Sequence, residues 1–323
     1  MLNNSTIKTD LAVEARELAT AASGEINGVE SEESKIHGFT VSRMKIVNED
    51  GERAMGKRMG KYVTVELPRE YRFDFDMFKN AVTVIGHEIS QMLNLGEKES
   101  ALVVGLGNAA LTADALGPMA IKATLVTRHV KEEKGFENLR PVSALAPGVM
   151  GQTGVETAEV IKGLVERISP SVLIVIDALS ARRLSRLATT IQISDTGIHP
   201  GSGVDNARSE ISKDTIGIPV VCVGMPTVVN AATMAADVIE LVSDEMKKGT
   251  AGNDTVFRYL NELDRNQLYT MSIETLAPYD LNLFVTPKDI DDIVLSSSRL
   301  MGYSINAALQ KDITVEEMMQ ALA

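Results

Sequence analysis

The sequence of 323 residues contains no tryptophan, one cysteine and 4% aromatic residues. With so few aromatic side chains, a base-stacking platform for single-stranded nucleic acid is not expected. A single cysteine, Cys222, excludes an intrachain disulfide and favours a reducing compartment. It lies in the apolar segment IPVVCVGMP, which predicts a buried structural thiol rather than a catalytic one.

Long hydrophobic runs are also missing. No apolar segment approaches the ~20 residues that a membrane-spanning helix needs, and the polar N-terminus lacks the apolar stretch of a signal peptide. We therefore expect a cytoplasmic protein without a membrane partner. The formal net charge is −12, and this disfavours direct binding of nucleic acid because affinity for phosphate needs clustered lysine and arginine.

The central part of the chain alternates between short apolar segments and helical patterns, which predicts an α/β fold with a mainly parallel sheet and helices on both faces. N-terminal strand and helix elements precede this core, which covers about 75–245, and a helical extension follows at about 255–323. We expect one domain over 11–323. The predicted strands are Phe39–Val47, Lys61–Leu67, Ala101–Val104, Ala123–Thr127, Val172–Ile176 and Ile218–Val223. The predicted helices are Asp10–Ala22 with Asp10 as N-cap, Asp76–Leu95 ending before Gly96, a helix from about Gly117, Val155–Ile168, a basic helix at Ala181–Leu187, Thr227–Leu241, Pro287–Tyr303 and Thr314–Ala323.

Two aspartates follow predicted strands of the core. Asp114 lies in the loop after Ala101–Val104, and Asp177 comes directly after Val172–Ile176. The carboxyl ends of parallel strands meet at one edge of a sheet, so we expect both side chains in one cleft. Two carboxylates in one cleft push their pKa values apart, and such a pair can activate water for peptide hydrolysis. Taken singly, Asp114 is equally typical of a helix N-cap and Asp177 of a solvated loop.

Glycine and histidine features leave other classes of function open. The turn Gly105–Asn108 (GLGN) is only part of a dinucleotide fingerprint, because Ala110 replaces its third glycine. A nucleotide- or peptide-binding module is therefore one alternative, and a tight turn without a ligand explains the same glycines. His199, in HPG, is a candidate general base, metal ligand or turn residue. Together with Asp114 and Asp177 it gives a second alternative, a metal-dependent hydrolase.

Two long loops rich in glycine, Arg140–Thr157 and Gln192–Arg208, are where substrate contacts are expected. The chain contains no C-x-x-C and no H-E-x-x-H motif, so we predict neither a metal nor another cofactor. The predicted substrate-binding residues are Gly105, Asn108, Gly154, Asp195 and His199.

Several long motifs together resemble the spore germination proteases of endospore-forming Firmicutes. The resemblance covers nearly the whole chain, and the blocks are much more specific than an isolated glycine motif. They are TDLAVEARE (Thr9–Glu17), GLGNAALTADALGP (Gly105–Pro118), PGVMGQTGVET (Pro147–Thr157), VIDALSAR (Val175–Arg182) and QISDTGIHPGSGVDNAR (Gln192–Arg208).

The resemblance implies an endopeptidase that degrades small acid-soluble, DNA-protecting spore proteins in the spore core during germination. It also implies a core similar to hydrogenase-maturation endopeptidases, a homotetramer, and a precursor that clips its own N-terminus. The family's two proposed catalytic aspartates correspond to Asp114 and Asp177. Thr9–Glu14 matches the family's substrate pattern of Thr, an acidic residue, a large apolar residue, Ala, any residue and Glu. We therefore expect cleavage between Asp10 and Leu11, which makes residues 1–10 a propeptide.

Overall fold

The computed structural model describes residues 9–96, 99–201, 208–248, 265–276 and 283–322. Within these residues the chain forms nine strands in one sheet, with helices on both sides. The strands are β1 (Val29–Ile36), β2 (Phe39–Ile46), β3 (Gly60–Glu66), β4 (Ala101–Gly105), β5 (Val142–Leu145), β6 (Val172–Ala181), β7 (Thr190–Ser194), β8 (Val220–Asn230) and β9 (Phe284–Val285). The helices are α1 (Ala12–Ser23), α2 (Glu49–Met55), α3 (Phe75–Leu93), α4 (Leu116–Lys122), α5 (Met150–Thr153), α6 (Thr157–Ile168), α7 (Lys213–Ile216), α8 (Ala231–Lys248), α9 (Arg265–Leu276), α10 (Ile290–Leu309) and α11 (Val315–Ala321).

The sheet has a parallel half and an antiparallel half. Its order is β1-β2-β3-β7-β8-β6-β4-β5, with β9 paired to β8. Strands β8, β6, β4 and β5 are mutually parallel, whereas β1, β2, β3 and β7 pair in antiparallel fashion and β7 joins β8 antiparallel. The predicted α/β class, with N-terminal strand and helix elements and C-terminal helices, is confirmed. The antiparallel half is larger than the sequence pattern predicts.

The two faces of the sheet carry different helices. On one face, α3, α4, α10 and α11 cover the largest apolar core, which spans both halves of the sheet. Helix α3 comes so close to α10 that a Cβ on Gly86 would lie 2.9 Å from the carbonyl oxygen of Ser304. On the other face, α6 and α7 cover the parallel half and α1 packs on the antiparallel half. The gap between these two groups of helices leaves that face open beside the ends of β4 and β6.

Four boundary predictions are wrong, three of them because a tertiary contact replaces the local pattern. Asp10 does not cap α1, since its carboxylate instead accepts a hydrogen bond from the backbone N–H of Ser180. Helix α3 ends at Leu93 with Asn94 as its C-cap, in the left-handed conformation with φ of 44°, rather than at Leu95 with Gly96 as C-cap. The basic helix at 181–187 is absent, because β6 continues to Ala181 and a short 3-10 turn follows at 184–186. Likewise, β8 extends through the predicted start of the next helix and ends at Asn230.

The predicted strand Ala123–Thr127 is also wrong, and β5 (Val142–Leu145) takes its place beside β4. The backbone N–H of Leu125 donates to the side chain of Asn306 on α10, at 2.8 Å. The N–H groups of Thr127 and Arg128 both donate to the carbonyl of Val142. These contacts satisfy the segment's donors without a ladder of paired residues, so no strand forms.

No helix among the described residues is both long and apolar enough to cross a membrane. The division between a propeptide (1–10) and a single domain (11–323) stays a prediction, and residues 1–8 of that propeptide lie outside the described residues.

Candidate active site

Asp177 lies inside β6 rather than after it. The strand continues four residues further to Ala181 because β8 pairs with it along this whole length, with a register shift between Leu179 and Ser180. The Asp177 side chain is buried, with 6% exposure, and its Oδ1 accepts a hydrogen bond from the backbone N–H of Ala178 at 2.9 Å. The register pairs Asp177 with Gly224 of β8, so both residues belong to the face of the sheet that α6 covers further down.

Asp114 is held in a tight loop between β4 and α4. A Cβ on Gly105 would lie 2.2 Å from the carbonyl oxygen of Gly117, so the two glycines allow strand and helix to approach at backbone contact. Gly107 has φ of +113°, and a Cβ there would lie 2.0 Å from the carbonyl oxygen of Asp114. The backbone N–H of Asn108 donates to Asp114 Oδ2 at 2.7 Å. The GLGN turn therefore shapes the loop that presents this carboxylate.

The two aspartates line one cleft of about 450 Å³ at the end of the parallel strands. Burial raises the pKa of Asp114, although the N–H of Asn108 lowers it in part. The pKa of Asp177 lies well above its usual range because the group is buried and because the carboxylates of Asp114 and Asp10 lie nearby. The predicted meeting of Asp114 and Asp177 in one cleft is thus seen in the structure.

The N-terminal segment enters the same cleft, which Asp10 also lines. Asp10 pairs with Ser180 of β6: its N–H donates to the Ser180 carbonyl at 3.2 Å, and its Oδ2 accepts from the Ser180 N–H at 2.8 Å. Ser180 lies three residues along β6 from Asp177. One backbone and one side-chain hydrogen bond therefore tie the segment to β6 at Ser180.

The carbonyl oxygen of Asp10 faces two side-chain donors from the antiparallel half. Lys57 Nζ, just after α2, donates to it at 3.1 Å and to the Thr9 carbonyl at 2.8 Å. Gln192 Nε2, on β7, donates to the Asp10 carbonyl at 2.9 Å. Gln192 Oε1 accepts from the N–H of Ala12 at 2.5 Å. Burial lowers the pKa of Lys57, and the carboxylates of Asp10 and Glu14 oppose this effect.

The residues after Asp10 are fixed by burial and by a carboxylate. Leu11 has no exposed surface and packs with Leu179 and Ala181. Glu14 is also fully buried, and its two oxygens accept hydrogen bonds from the backbone N–H groups of Arg182 (2.7 Å) and Arg183 (2.8 Å). The segment is thus held at three points along β6 and the turn that follows it.

The other predicted site residues divide into two groups. Asn108 and His199 line the cleft with the aspartates. Gly105, Gly154 and Asp195 do not belong to that lining: Gly105 is a packing contact, Gly154 ends α5 in the left-handed conformation, and Asp195 accepts from the N–H of Lys61 at 2.7 Å. Their assignment to substrate binding stays a prediction.

Two further features concern other types of catalysis: the reactivity of the single thiol and the arrangement of possible metal ligands. Cys222 is buried, as predicted, and burial together with the charges of Asp177 and Asp195 raises the pKa of its thiol, which disfavours the reactive thiolate. In the described part of the chain, no group of three His, Cys, Asp or Glu side chains is arranged to hold a metal ion.

Comparison with known proteins identifies the family. A sequence model described as germination protease matches residues 7–267. The curated germination protease of Caldanaerobacter subterraneus subsp. tengcongensis is 44% identical over 319 residues, covering 98% of each chain. That of Clostridium perfringens is 44% identical over 317 residues, covering 97% of this chain and 98% of the relative. The chain belongs to the germination protease family. The germination protease of Bacillus pumilus is a more distant relative, 39% identical over 97% of this chain and 95% of its own.

Membership of the germination protease family makes this chain a peptidase with a role in germination. Among solved structures, the NiFe hydrogenase maturation protease HycI of Thermococcus kodakarensis matches 43% of this chain and 80% of its own, at 16% identity. The TM-score of that match is 0.28, which is too low to support a conclusion about either the fold or the site.

Sequence reasoning missed the groups that contact the N-terminal segment. Gln192 could have been predicted to make a hydrogen bond. It is a polar residue between Ile191 and Ile193 in a buried strand, and a polar group there needs a partner. The sequence around Lys57 does not indicate such a contact, because this lysine lies in a charge-rich stretch that is typical of a solvated surface. The backbone N–H groups of Ser180 and Arg182 could not be predicted as donors, because the pattern of side chains does not show which backbone groups are unpaired.

Proposed function

We propose that this germination protease is made as a precursor that cuts its own peptide bond between Asp10 and Leu11. Water activated by Asp114 and Asp177 attacks that bond. One observation carries the proposal: the segment with the predicted cleavage site is seated in the cleft that both aspartates line, with Asp10 paired to Ser180 on the same strand as Asp177.

The two aspartates take different roles in this proposal. Asp177, the more deeply buried group with the more strongly raised pKa, holds the proton that the pair shares. Asp114, stabilised as a carboxylate by the N–H of Asn108, accepts a proton from the attacking water. When the C–N bond breaks, Asp177 gives its proton to the nitrogen of Leu11. The pair titrates as a unit, so the assignment describes its dominant protonation state.

The contacts of the docked segment also support the substrate class. The three anchored side chains are the acidic residue, the large apolar residue and the glutamate of the family's substrate pattern: Asp10 on Ser180, Leu11 in an apolar pocket, and Glu14 on the amides after β6. We propose that small acid-soluble spore proteins carrying this pattern are cut internally in the same way. We further propose that the enzyme is a homotetramer and that it acts in the spore core.

The test is mass spectrometry of the purified full-length chain over time after mild acidification. The wild type is expected to lose residues 1–10. Asp114→Asn and Asp177→Asn are expected to keep them, because each removes a group that moves a proton; general acid–base groups typically contribute about 10²–10⁴-fold. Asp76→Asn, an exposed change on α3, is the matched control and should process normally.

Two results would overturn the proposal. Processing of both Asn variants at the wild-type rate would remove the aspartates from the chemistry, and cleavage at another bond would remove Asp10–Leu11 as the site. A parallel sample with a chelator separates the metal-dependent alternative, since loss of processing there and recovery with a divalent ion would replace the aspartate mechanism with a metal-assisted one.

A further inference from the structure

The carbonyl group of Asp10 belongs to the peptide bond that the proposed self-processing breaks. Its oxygen accepts hydrogen bonds from Lys57 Nζ at 3.1 Å and from Gln192 Nε2 at 2.9 Å. We infer that Lys57 and Gln192 form the oxyanion site of this protease, an inference that rests on the proposed cleavage between Asp10 and Leu11. Both are catalytic residues in this assignment, because they touch the reacting carbonyl group.

The sheet register relates one donor, Gln192, to one acid, Asp177. Gly224 of β8 pairs with Asp177 of β6 on one side and with Gln192 of β7 on the other. Residues paired in this way share a face of the sheet, and strands lie about 4.8 Å apart, so the two Cα atoms are separated by roughly 10 Å. The side chain of Leu179 lies over Gly224, since a Cβ on that glycine would be 2.7 Å from Leu179 Cγ. Asp10, whose carbonyl Gln192 holds, and Asp177 line the same cleft.

Gln192 is oriented by two contacts that require different atoms. The backbone N–H of Ala12 needs an acceptor, and the carbonyl of Asp10 needs a donor. Only one orientation of the side-chain amide satisfies both, with Oε1 toward Ala12 and Nε2 toward Asp10. The amide donor is therefore aimed at the carbonyl oxygen before any charge develops there, which is the arrangement that stabilises a transition state most effectively.

Lys57 adds a charged donor to the same oxygen. Its ammonium group also bonds the carbonyl of Thr9 at 2.8 Å, so it bridges two successive carbonyl groups of the docked segment. Hydrogen bonds from a charged donor are roughly twice as strong as neutral ones. The gain is largest when the acceptor becomes an anion, as the carbonyl oxygen of Asp10 does on attack by water.

The chemical step is balanced by the groups present. The water oxygen forms a bond to the carbonyl carbon of Asp10 while a proton passes to Asp114. The carbonyl π electrons move to the oxygen, which becomes an oxyanion bound by Lys57 and Gln192. Collapse of this intermediate breaks the C–N bond, and the nitrogen of Leu11 takes the proton from Asp177. The products are a new carboxyl group on Asp10 and a new amino group on Leu11.

The sharpest test is Gln192→Glu in the full-length chain. Glutamate keeps an oxygen to accept the N–H of Ala12, so the segment stays docked, but it places an acceptor where the oxyanion needs a donor. Self-processing, followed by mass spectrometry, should slow by about 10²–10³-fold, the usual loss for one oxyanion donor. Gln91→Glu makes the same change at an exposed position of α3 and should leave the rate unchanged.

Lys57→Met is the second variant, with Lys45→Met on the exposed side of β2 as its control. A similar loss of rate is expected, and Lys57→Arg should recover part of it because it restores a charged donor. Hydrogen exchange of residues 9–14 in the unprocessed variants separates catalysis from docking. If Lys57 and Gln192 bind the oxyanion, their variants cleave slowly while hydrogen exchange of residues 9–14 stays as slow as in Asp177→Asn.

Three outcomes bear on the inference in different ways. Slow cleavage with a protected segment supports it. Slow cleavage with fast exchange in residues 9–14 overturns it, because the two residues would then only hold the segment. Normal cleavage by Gln192→Glu and Lys57→Met, with Asp177→Asn inactive, also overturns it and leaves the proposed function intact. A wild-type chain that never cuts between Asp10 and Leu11 is the separate failure of the proposed function itself.

Discussion

The parallel and antiparallel halves of the sheet bring opposite chemistry to one cleft. The parallel half contributes the acids, with Asp177 inside β6 and Asp114 in the loop after β4. The antiparallel half contributes donors, with Gln192 on β7 and Lys57 at the end of α2. The N-terminal segment lies between them and contacts both. The comparison shows that the two halves contribute different groups, since Lys57 and Gln192, which both donate to the Asp10 carbonyl, come from the antiparallel half.

Two buried carboxylates with different proposed roles, Glu14 and Asp177, are stabilised in different ways. Glu14 accepts from two backbone N–H groups and from the hydroxyl of Thr9, and the guanidinium of Arg186 lies 3.8 Å from its Oε1. Asp177 has one backbone donor, from Ala178, and faces the carboxylates of Asp114 and Asp10. The first arrangement is suited to binding a glutamate, and the second to holding a proton.

Among changes outside the proposed catalytic side chains, the largest effect should come from Gly107→Ala. A Cβ there would lie 2.0 Å from the carbonyl oxygen of Asp114, and φ is +113°, so the loop must move and carry Asp114 with it. A displacement of about 1 Å is enough to reduce cleavage about 10²-fold. Gly151→Ala is the control, because Gly151 lines the same cleft and has open space at its Cβ position. Equal rates of self-processing in the two variants would show that the Asp114 loop need not be held in place.

Glu14→Gln tests how the segment is docked on the parallel half, at the turn that follows β6. The change replaces a carboxylate that accepts from Arg182 and Arg183 with an amide that has only one acceptor oxygen. Hydrogen bonds to charged groups contribute about 1.5–3 kcal/mol, so self-processing should slow by about 10- to 100-fold through weaker docking. Glu25→Gln, at an exposed position after α1, should have no effect. Unchanged processing by Glu14→Gln would mean that the segment is held without this contact.

The sequence predicted the two halves unequally. The buried strands β4, β6 and β8 have continuous apolar patterns, so each was predicted near its start, and Asp114 and Asp177 were placed beside them. The ends of β6 and β8 were predicted too early, and β5 was missed. In the antiparallel half, β1 (VESEESKI) is a mostly polar, largely exposed edge strand without the apolar alternation that marks a strand. Strand β7 has only five residues, and its second half, from Gln192, falls in the predicted loop Gln192–Arg208.

Contacts between distant parts of the chain explain the remaining errors. Asp10 and Ser180 are 170 residues apart, and their pairing both removes the predicted N-cap and docks the segment. The amide donors that bind Glu14 become available only because β6 continues to Ala181 and leaves the next N–H groups unpaired in the sheet. Predictions from the side chains of a short segment cannot include hydrogen bonds to backbone N–H groups of a strand that is distant in the sequence.

A smaller effect is expected on stability, as a function of pH. The pKa of Asp177 is raised in the folded chain, so between its ordinary value and its raised value the folded state binds more protons than the unfolded state. Stability from this group is therefore fully present below its ordinary pKa and is lost as pH rises through the raised value. Thermal unfolding should show Asp177→Asn gaining Tm relative to the wild type as pH rises from 4 to 8. Asp76→Asn should show no such trend, and a flat difference for Asp177→Asn would contradict its raised pKa.

The smallest effect tests whether the docked segment communicates with the acids. The carboxylate of Asp10 is one of the charges that raise the pKa of Asp177, after burial and Asp114. Asp10→Asn keeps an oxygen for the N–H of Ser180 but removes this charge. In that background, Asp177→Asn should gain less Tm at pH 8 than it does in the wild type, measured as a double-mutant cycle on unprocessed protein. Equal gains would mean that the charge of Asp10 does not affect Asp177 in solution. Burial and the neighbouring Asp114 would then set the raised pKa of Asp177 without the docked segment.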